Sequence, residues 1–335
     1  MAQSNRLTVN KQLLAITSLL ILSLFFAFAA LFIGSVHISI SDFFDAIFSQ
    51  SGNNTFKTIL FDIRLPRIVL AFAVGGGLSV AGAAFQAILM NPLAEPYILG
   101  ISSGGAFGAV LSFLIGASFF ITQIFSFSGA LIVIAIVFVL GKRFGELEPN
   151  TLLLTGVMVG AFLSALILIM ISLLNESLRS AIFWLMGNLS NASNGTSYYI
   201  LIVTVLISLL LILNSNKYNI LALGTETAQH LGVNTKFVRN YTYILSSILV
   251  GAIVSVSGVI GFVGLLIPHI CRTVFGPDNR IVLPASFFAG AAFLIFADTF
   301  ARVIISPAEL PVGAITALFG APVFIYLLRK KFYTT

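Results

Sequence analysis

Val74-Gly75-Gly76-Gly77-Leu78-Ser79-Val80-Ala81-Gly82 is answered, 176 residues further on, by Val250-Gly251-Ala252-Ile253-Val254-Ser255-Val256-Ser257-Gly258. Pro92 is answered at the same distance by Pro268. Both stretches lie in apolar runs too long for the core helix of a soluble domain. Glycine-interrupted apolar segments that occur twice are a habit of transporters whose substrate path runs between two related halves. The chain therefore reads as an all-α, polytopic membrane protein with an internal repeat. Its halves cover approximately residues 60–175 and 236–330 of a single transmembrane domain spanning 1–335.

Composition points the same way. Of 335 residues 59% are hydrophobic and only 8% are charged, more apolar surface than a soluble fold can bury. A crossing needs about 20 residues to cover roughly 30 Å of hydrocarbon, and the runs lack the alternation of a barrel strand. About ten transmembrane helices are expected, near 13–34, 66–89, 98–121, 124–140, 151–174, 198–213, 241–258, 259–275, 281–301 and 311–328. Residues 13–34 form too long an apolar core for a cleaved signal segment.

Charge sets the parity. With both termini cytoplasmic, the inner loops and ends hold Arg6, Lys11, Lys142, Arg143, Lys217, Lys236, Arg239, Arg272, Arg280, Arg329, Lys330 and Lys331, which is 12 of the 17 basic residues. This asymmetry is what the positive-inside rule favours. In that orientation the Val74 stretch enters from outside and the Val250 stretch from inside, so the repeat is inverted. The net charge of +6 is spread over loops beside anionic lipid and gives no reason to expect nucleic acid. A lone Cys271 excludes an internal disulfide framework.

Three polar stretches interrupt the spans. Ser35 to Phe61 contains an amphipathic piece, Ile38 to Phe48, suited to lie at the outer interface with Phe44 and Phe48 in lipid. Asn175 to Ser197 carries the only tryptophan, Trp184, followed by Asn188, Asn191 and Asn194. The third, within a cytoplasmic segment at 217–240, runs from Leu221 to Val233. Thr225 to Leu231 can form two helical turns, and Gly224 and Gly232 permit sharp entry and exit. Such a helix either caps the bundle or docks on a partner, with the small Ala228 allowing close approach.

A series of motifs gives the chain a family likeness. Arg64-Leu65-Pro66-Arg67, Gly82-Ala83-Ala84-Phe85-Gln86, Asn91-Pro92-Leu93-Ala94-Glu95-Pro96 and Leu99-Gly100 are followed by Trp184-Leu185-Met186-Gly187 and by Leu223-Gly224 to Leu231-Gly232-Val233. Gly261 to Leu265, Pro268-His269-Ile270-Cys271-Arg272, Ala297-Asp298, Ala301-Arg302, Glu309-Leu310-Pro311, Gly313 and Gly320 to Phe324 complete it. Over residues 60–328 the chain resembles the permease subunits of iron-siderophore, haem and cobalamin ABC importers, the FecCD type. The resemblance implies a second permease subunit, identical or paralogous, a pair of cytoplasmic ATPase subunits and an extracytoplasmic binding protein. It also implies an iron-siderophore substrate, with haem or cobalamin as alternatives, and a place in the cytoplasmic membrane.

The resemblance assigns the docking of acidic side chains of the binding protein to Arg64, Arg67 and Arg302; arginine's fork suits that task. Residues alone leave Arg64 and Arg67 equally readable as arginines snorkelling to headgroups. The family likewise implies ATPase coupling through Gly224, Thr225, Glu226, Ala228, Leu231 and Gly232. Asp298 lies four residues before Arg302 in an apolar run, where pairing within the helix avoids an isolated buried charge. Asn91, Pro92, Pro96 and Pro268 interrupt helical hydrogen bonding and are candidates for a gate hinge.

No phosphate-cradling G-x-x-x-x-G-K-[ST] loop occurs, so the chain itself is expected to hold no cofactor, ATP and Mg being bound by the partner ATPase. His37, His230 and His269 are too scattered to suggest a metal site. Two other readings compete. An ion-gradient-driven transporter would use Asp298 as its coupling group, and a membrane-embedded enzyme would need a cluster of His, Asp, Glu or Cys that the spans lack.

Overall fold

The computed structural model describes residues 9–34, 36, 38–48, 54–174 and 177–332; Arg6, Ser35, His37 and Asn175 lie outside them. Helix α1 (Val9–Phe32) is followed by α2 (Ile40–Phe48), α3 (Asn54–Thr58), a π-helical turn (Ile59–Arg64) and α4 (Leu65–Ile88). A 3₁₀ turn (Pro96–Leu99) leads into α5 (Ile101–Leu114), then α6 (Phe119–Leu140). A small hairpin of β1 (Lys142–Arg143) and β2 (Glu146–Leu147) joins α6 to α7 (Pro149–Ser172). The remainder is α8 (Leu178–Leu185), α9 (Asn194–Ile212), α10 (Ser215–Leu221), α11 (Thr225–His230), α12 (Thr235–Ser257), α13 (Val263–Phe275), α14 (Asn279–Val303) and α15 (Val312–Phe332).

Each of the ten expected intervals holds one helix, but they are not ten equal spans. Among the described residues, seven helices are long and apolar enough to cross a bilayer; three apolar stretches, Ile101–Leu114, Val263–Phe275 and Val312–Leu327, are shorter. The 14 residues of α5 rise about 21 Å, well short of the hydrocarbon thickness. Its expected interval of 98–121 is cut at the front by the 3₁₀ turn and at the back by Gly116 at φ +65°. The interval 259–275 shrinks likewise, because Gly258 and Phe262 both take left-handed φ values of 68° before α13 begins. Phe262 is a non-glycine residue in that region, a costly placement held by its surroundings.

Helix α4 is the hub, buried along its length against α9, α12, α13 and α14. Glycines make that possible. A Cβ on Gly82 would stand 1.8 Å from the Gly264 carbonyl oxygen on α13, and one on Gly75 would stand 2.3 Å from the Gly290 carbonyl oxygen on α14. Backbones in van der Waals contact are how helices associate where lipid removes the hydrophobic drive. Gly104 on α5 meets α6 in the same way, 2.6 Å from the Gly129 carbonyl oxygen.

The stretches that answer each other in sequence do not take equivalent places in the fold. A long buried helix, a break and a short helix occur twice, as α4 to α5 and as α12 to α13. Gly82, however, lies inside α4, whereas Gly258 is the C-cap of α12; Pro92 lies in a turn, whereas Pro268 is inside α13. Shared glycine content arises here from close packing in one copy and chain reversal in the other.

The amphipathic α2 is more than an interfacial float. Phe43 packs against Phe32 and Phe28 of α1, with ring centroids 5.3 and 6.4 Å apart, and Asp42 caps the helix by accepting from the Ser39 N–H at 2.9 Å. That bond and the one from the Ser39 hydroxyl hold the Asp42 carboxyl below the usual carboxylate range. Phe44 faces outward.

Candidate functional site

The π-helical turn ahead of α4 adds one residue to the helical winding and carries Arg64 inward, where it donates to the carbonyls of Leu31 and Val36. One turn on, Arg67 Nε lies 3.0 Å from both oxygens of Asp298 on α14, and its Nη2 donates to Asp298 Oδ1 at 2.9 Å. The remaining guanidinium nitrogen, Nη1, donates to Glu309 Oε2 at 2.7 Å, from the connection between α14 and α15. Arg302 Nε approaches Asp298 Oδ2 at 3.3 Å as an ion pair without hydrogen-bond alignment.

This geometry corrects one expectation and adds a partner to another. Arg64, Arg67 and Arg302 do not present exposed forks, since their relative exposures are 3%, 5% and 6%. A guanidinium in apolar surroundings needs partners for its N–H groups: two carboxylates serve Arg67 and two carbonyls serve Arg64, while Arg302 donates through Nη2 to the Thr299 hydroxyl at 3.2 Å and its Nε has only the ion pair. The expected pair of Asp298 with Arg302 does form, but the better-formed partner of Asp298 is Arg67, 231 residues away. Glu309 was visible as part of a motif without any sign that it would join this cluster.

At the other end of α4, the chain doubles back. Asn91 Oδ1 accepts from the Leu93 N–H at 2.9 Å, the local satisfaction expected at an Asn-Pro turn. Pro96 opens the 3₁₀ turn, and this segment is stapled to the break before α13: Glu95 Oε1 accepts from the Phe262 N–H at 2.8 Å and Tyr97 Oη accepts from the Ile260 N–H at 3.1 Å. A carboxylate thus sits at the N-terminus of α13, where the helix dipole favours it. Gln86 and Arg272 close the arrangement: Arg272 donates to Gln86 Oε1 and to the Ala83 carbonyl at 3.2 Å, and Gln86 Nε2 donates to the Ala94 carbonyl at 3.3 Å. Of the hinge candidates, Asn91 and Pro92 form the turn that precedes Pro96, and Pro96 packs against Gly264 of α13, the short helix that contains Pro268. His269, next along, sets its ring 5.7 Å from that of Phe324, while His230 lies on α11.

The segment at 217–240 forms α10, α11 and the start of α12. Gly224 at φ +107° and Gly232 at φ +80° bracket α11, conformations that glycine alone adopts without strain. Thr225 Oγ1 accepts from Arg239 Nη2 at 2.9 Å, and Gln229 Nε2 donates to Thr235 Oγ1 at 3.2 Å, so α11 is tied to α12. Ala228 is fully buried against the chain's own core, which corrects its expected place on a docking face. The exposed residues include Leu223, Glu226, Thr227, His230 and Leu231, with the two leucines 63% and 58% exposed.

A polar staple connects this segment to the membrane helices. Asn219 on α10 donates through Nδ2 to Asp278 Oδ1 at 2.7 Å, and its Oδ1 accepts from the Asn279 N–H at 2.8 Å. Asp278 caps α14, and hydrogen bonds from the Arg280 side chain hold its carboxyl down at about 2. A depressed value means that its contribution to stability is complete above the ordinary 3.8 and lost only as the pH falls toward about 2.

Comparison with known proteins decides what this architecture belongs to. The model of the FecCD transport family matches residues 19–330. The chain belongs to that family. Among FecCD relatives, the uncharacterized ABC transporter permease protein YvrB of Bacillus subtilis is 41% identical over 313 residues, covering 89% of this chain and 88% of the relative. The hemin transport system permease protein HmuU of Yersinia pestis is 37% identical, covering 93% and 94%. A solved structure described as an inward-facing conformation of a metal-chelate-type ABC transporter superposes with a TM-score of 0.85 at 32% identity, covering 94% of this chain and 98% of that one. As a FecCD protein the chain is a multi-span ABC importer permease of the cell membrane, of the metal-chelate type.

Proposed function

We propose that this permease carries a ferric siderophore inward, that both its termini are cytoplasmic, and that a second permease subunit completes the pathway. A separate ATPase pair would grip the Leu223 to Leu231 segment, and an external binding protein would engage the end of the bundle where Arg67 and Arg302 lie. Relatives named for hemin, Fe(3+)-citrate and iron(3+)-hydroxamate transport support an iron complex as cargo.

The observation that carries the reading is α11 itself. Its inward side is bonded to α12, its ends are set by two positive-φ glycines, and it offers two leucines and Glu226 outward with no partner for them among the described residues. Force on that face passes through Arg239 to α12, and through Asn219 to the start of α14. The buried arginines support docking in a specific way. Glu309, whose side chain is 40% exposed, already occupies Arg67, so an incoming acidic side chain would exchange with it.

Uptake by vesicles that hold the permease, its ATPase and ATP, with the proton gradient collapsed, tests the scheme. Transport should continue, and Leu231→Glu should reduce it at least tenfold while leaving membrane insertion unchanged. Uptake that stops with the gradient would favour an ion-driven transporter instead, and full activity of Leu231→Glu would remove α11 from the ATPase contact.

A further inference from the structure

Arg239 on α12 is 7% exposed, yet its guanidinium is only partly engaged. Nη2 donates to Thr225 Oγ1 at 2.9 Å, whereas Nε is a buried donor without an acceptor among the described residues. Buried donors normally have a partner. Arg239 forms no ion pair among the described residues either, although Glu146 and Glu148 line the same recess of about 400 Å³ and act on it electrostatically.

The two acids are not alike. Glu148 is taken up as the N-cap of α7: Oε1 accepts from the Asn150 N–H at 3.2 Å, and Oε2 accepts from the Thr151 N–H at 2.6 Å and the Thr151 hydroxyl at 2.5 Å. Glu146 lies two residues earlier on β2, and its carboxylate has no hydrogen bond or ion pair among the described residues. Its cross-strand neighbour Arg143 lies instead over the Phe144 ring, 5.4 Å from its centroid. The recess thus holds one unclaimed donor and one unclaimed acceptor of opposite charge, on α12 and on the β2 strand that packs against it. The hairpin carrying Glu146 has two residues per strand and reverses at Phe144 and Gly145, with φ of +51° and +81°. Strands so short have little stability of their own, so the hairpin goes where its neighbours hold it.

We propose that Arg239 and Glu146 are positioning residues of the transport cycle that pair in a second state of the permease. The inference rests on the importer reading and extends it from α11 to α7. In the present state Arg239 is held by Thr225, the first residue of α11. When the ATPase displaces α11, that bond is lost and the guanidinium turns across the recess to Glu146. Nε then gains an acceptor, an ion pair replaces the bond to a neutral hydroxyl, and the hairpin is drawn toward α12. Glu148 follows Glu146 by two residues, so the capped start of α7 moves with the hairpin. Each state has a contact of its own, which a ligand-driven shift between two conformations requires.

Spin labels on Phe144→Cys and Lys236→Cys report the distance from hairpin to α12 while leaving Arg239 and Glu146 in place. Both positions are exposed, and the native Cys271, 2% exposed, stays unlabelled. In the full complex with its ATPase, the distance should shorten on trapping with ATP and vanadate, and Glu146→Gln should remove the shortening. Uptake per ATP hydrolysed should fall about tenfold in Glu146→Gln, within the range of coupling between sites, and recover in Glu146→Asp. Equal distances in the resting and trapped complexes, or a shortening that Glu146→Gln leaves intact, overturn the proposal. Parental uptake by Glu146→Gln overturns the pairing and leaves the importer standing, whereas no ATP-dependent uptake of any chelate by the unmodified permease overturns both.

Discussion

Replacing Asp298 by alanine should lower the stability of the folded chain by about 3–5 kcal/mol, the range found when one member of a buried ion pair is removed. The carboxylate is 2% exposed and serves two arginines, one at 2.9 Å and one at 3.3 Å. Without it, Arg302 has no carboxylate contact and Arg67 keeps only Glu309, so two guanidinium groups share a buried space with one compensating charge. Denaturant or thermal unfolding of the detergent-solubilised protein measures the loss. Glu309→Gln, at a partly exposed position, should cost about 1 kcal/mol or less by comparison. Equal and small effects of both substitutions would mean that the cluster is open to water.

The second large effect is expected from the addition of a single methyl group. Gly82→Ala places a Cβ against the backbone of Gly264, where no side-chain rotation can relieve the overlap, and α4 and α13 must separate. Overpacking of this kind costs about 1–3 kcal/mol, and valine at the same position should cost more. Because Gly264 lies two residues after Phe262, which receives the Glu95 carboxylate, the separation also strains the staple between the two half-helices. Gly195→Ala is the matched control: nothing lies within 4 Å of its added Cβ, and its stability should stay within about 0.5 kcal/mol of the parent. Unfolding midpoints of the three variants decide the matter, and a neutral Gly82→Ala would refute the direct backbone contact.

These two sites show what a linear reading captures and what it misses. Helix positions were legible because apolar runs report burial in lipid, and the bracket of α11 was legible because Gly224 and Gly232 mark chain reversals wherever they fall. The shortness of α5 and α13 was not, since hydropathy averages across the apolar residues of a break and takes no account of φ. Pairing in the membrane was legible only within one helix: the spacing of four residues gave Asp298 and Arg302, while Arg67 and Glu309 come from elements joined only by packing. Ala228 illustrates a related limit. Its small size fits a docking face and a tight core equally well, and only the direction of its Cβ, toward the bundle, separates them.

The orientation of α11 is the point on which the whole scheme turns. Leu231→Cys introduces an accessible thiol on its outer face, while the native Cys271 is 2% exposed and a poor target. A membrane-impermeant maleimide should label this cysteine in inside-out vesicles and not in right-side-out ones, and addition of the ATPase should protect it. Labelling from the external side, or labelling that the ATPase leaves unchanged, would contradict a permease driven from the cytosol through this helix.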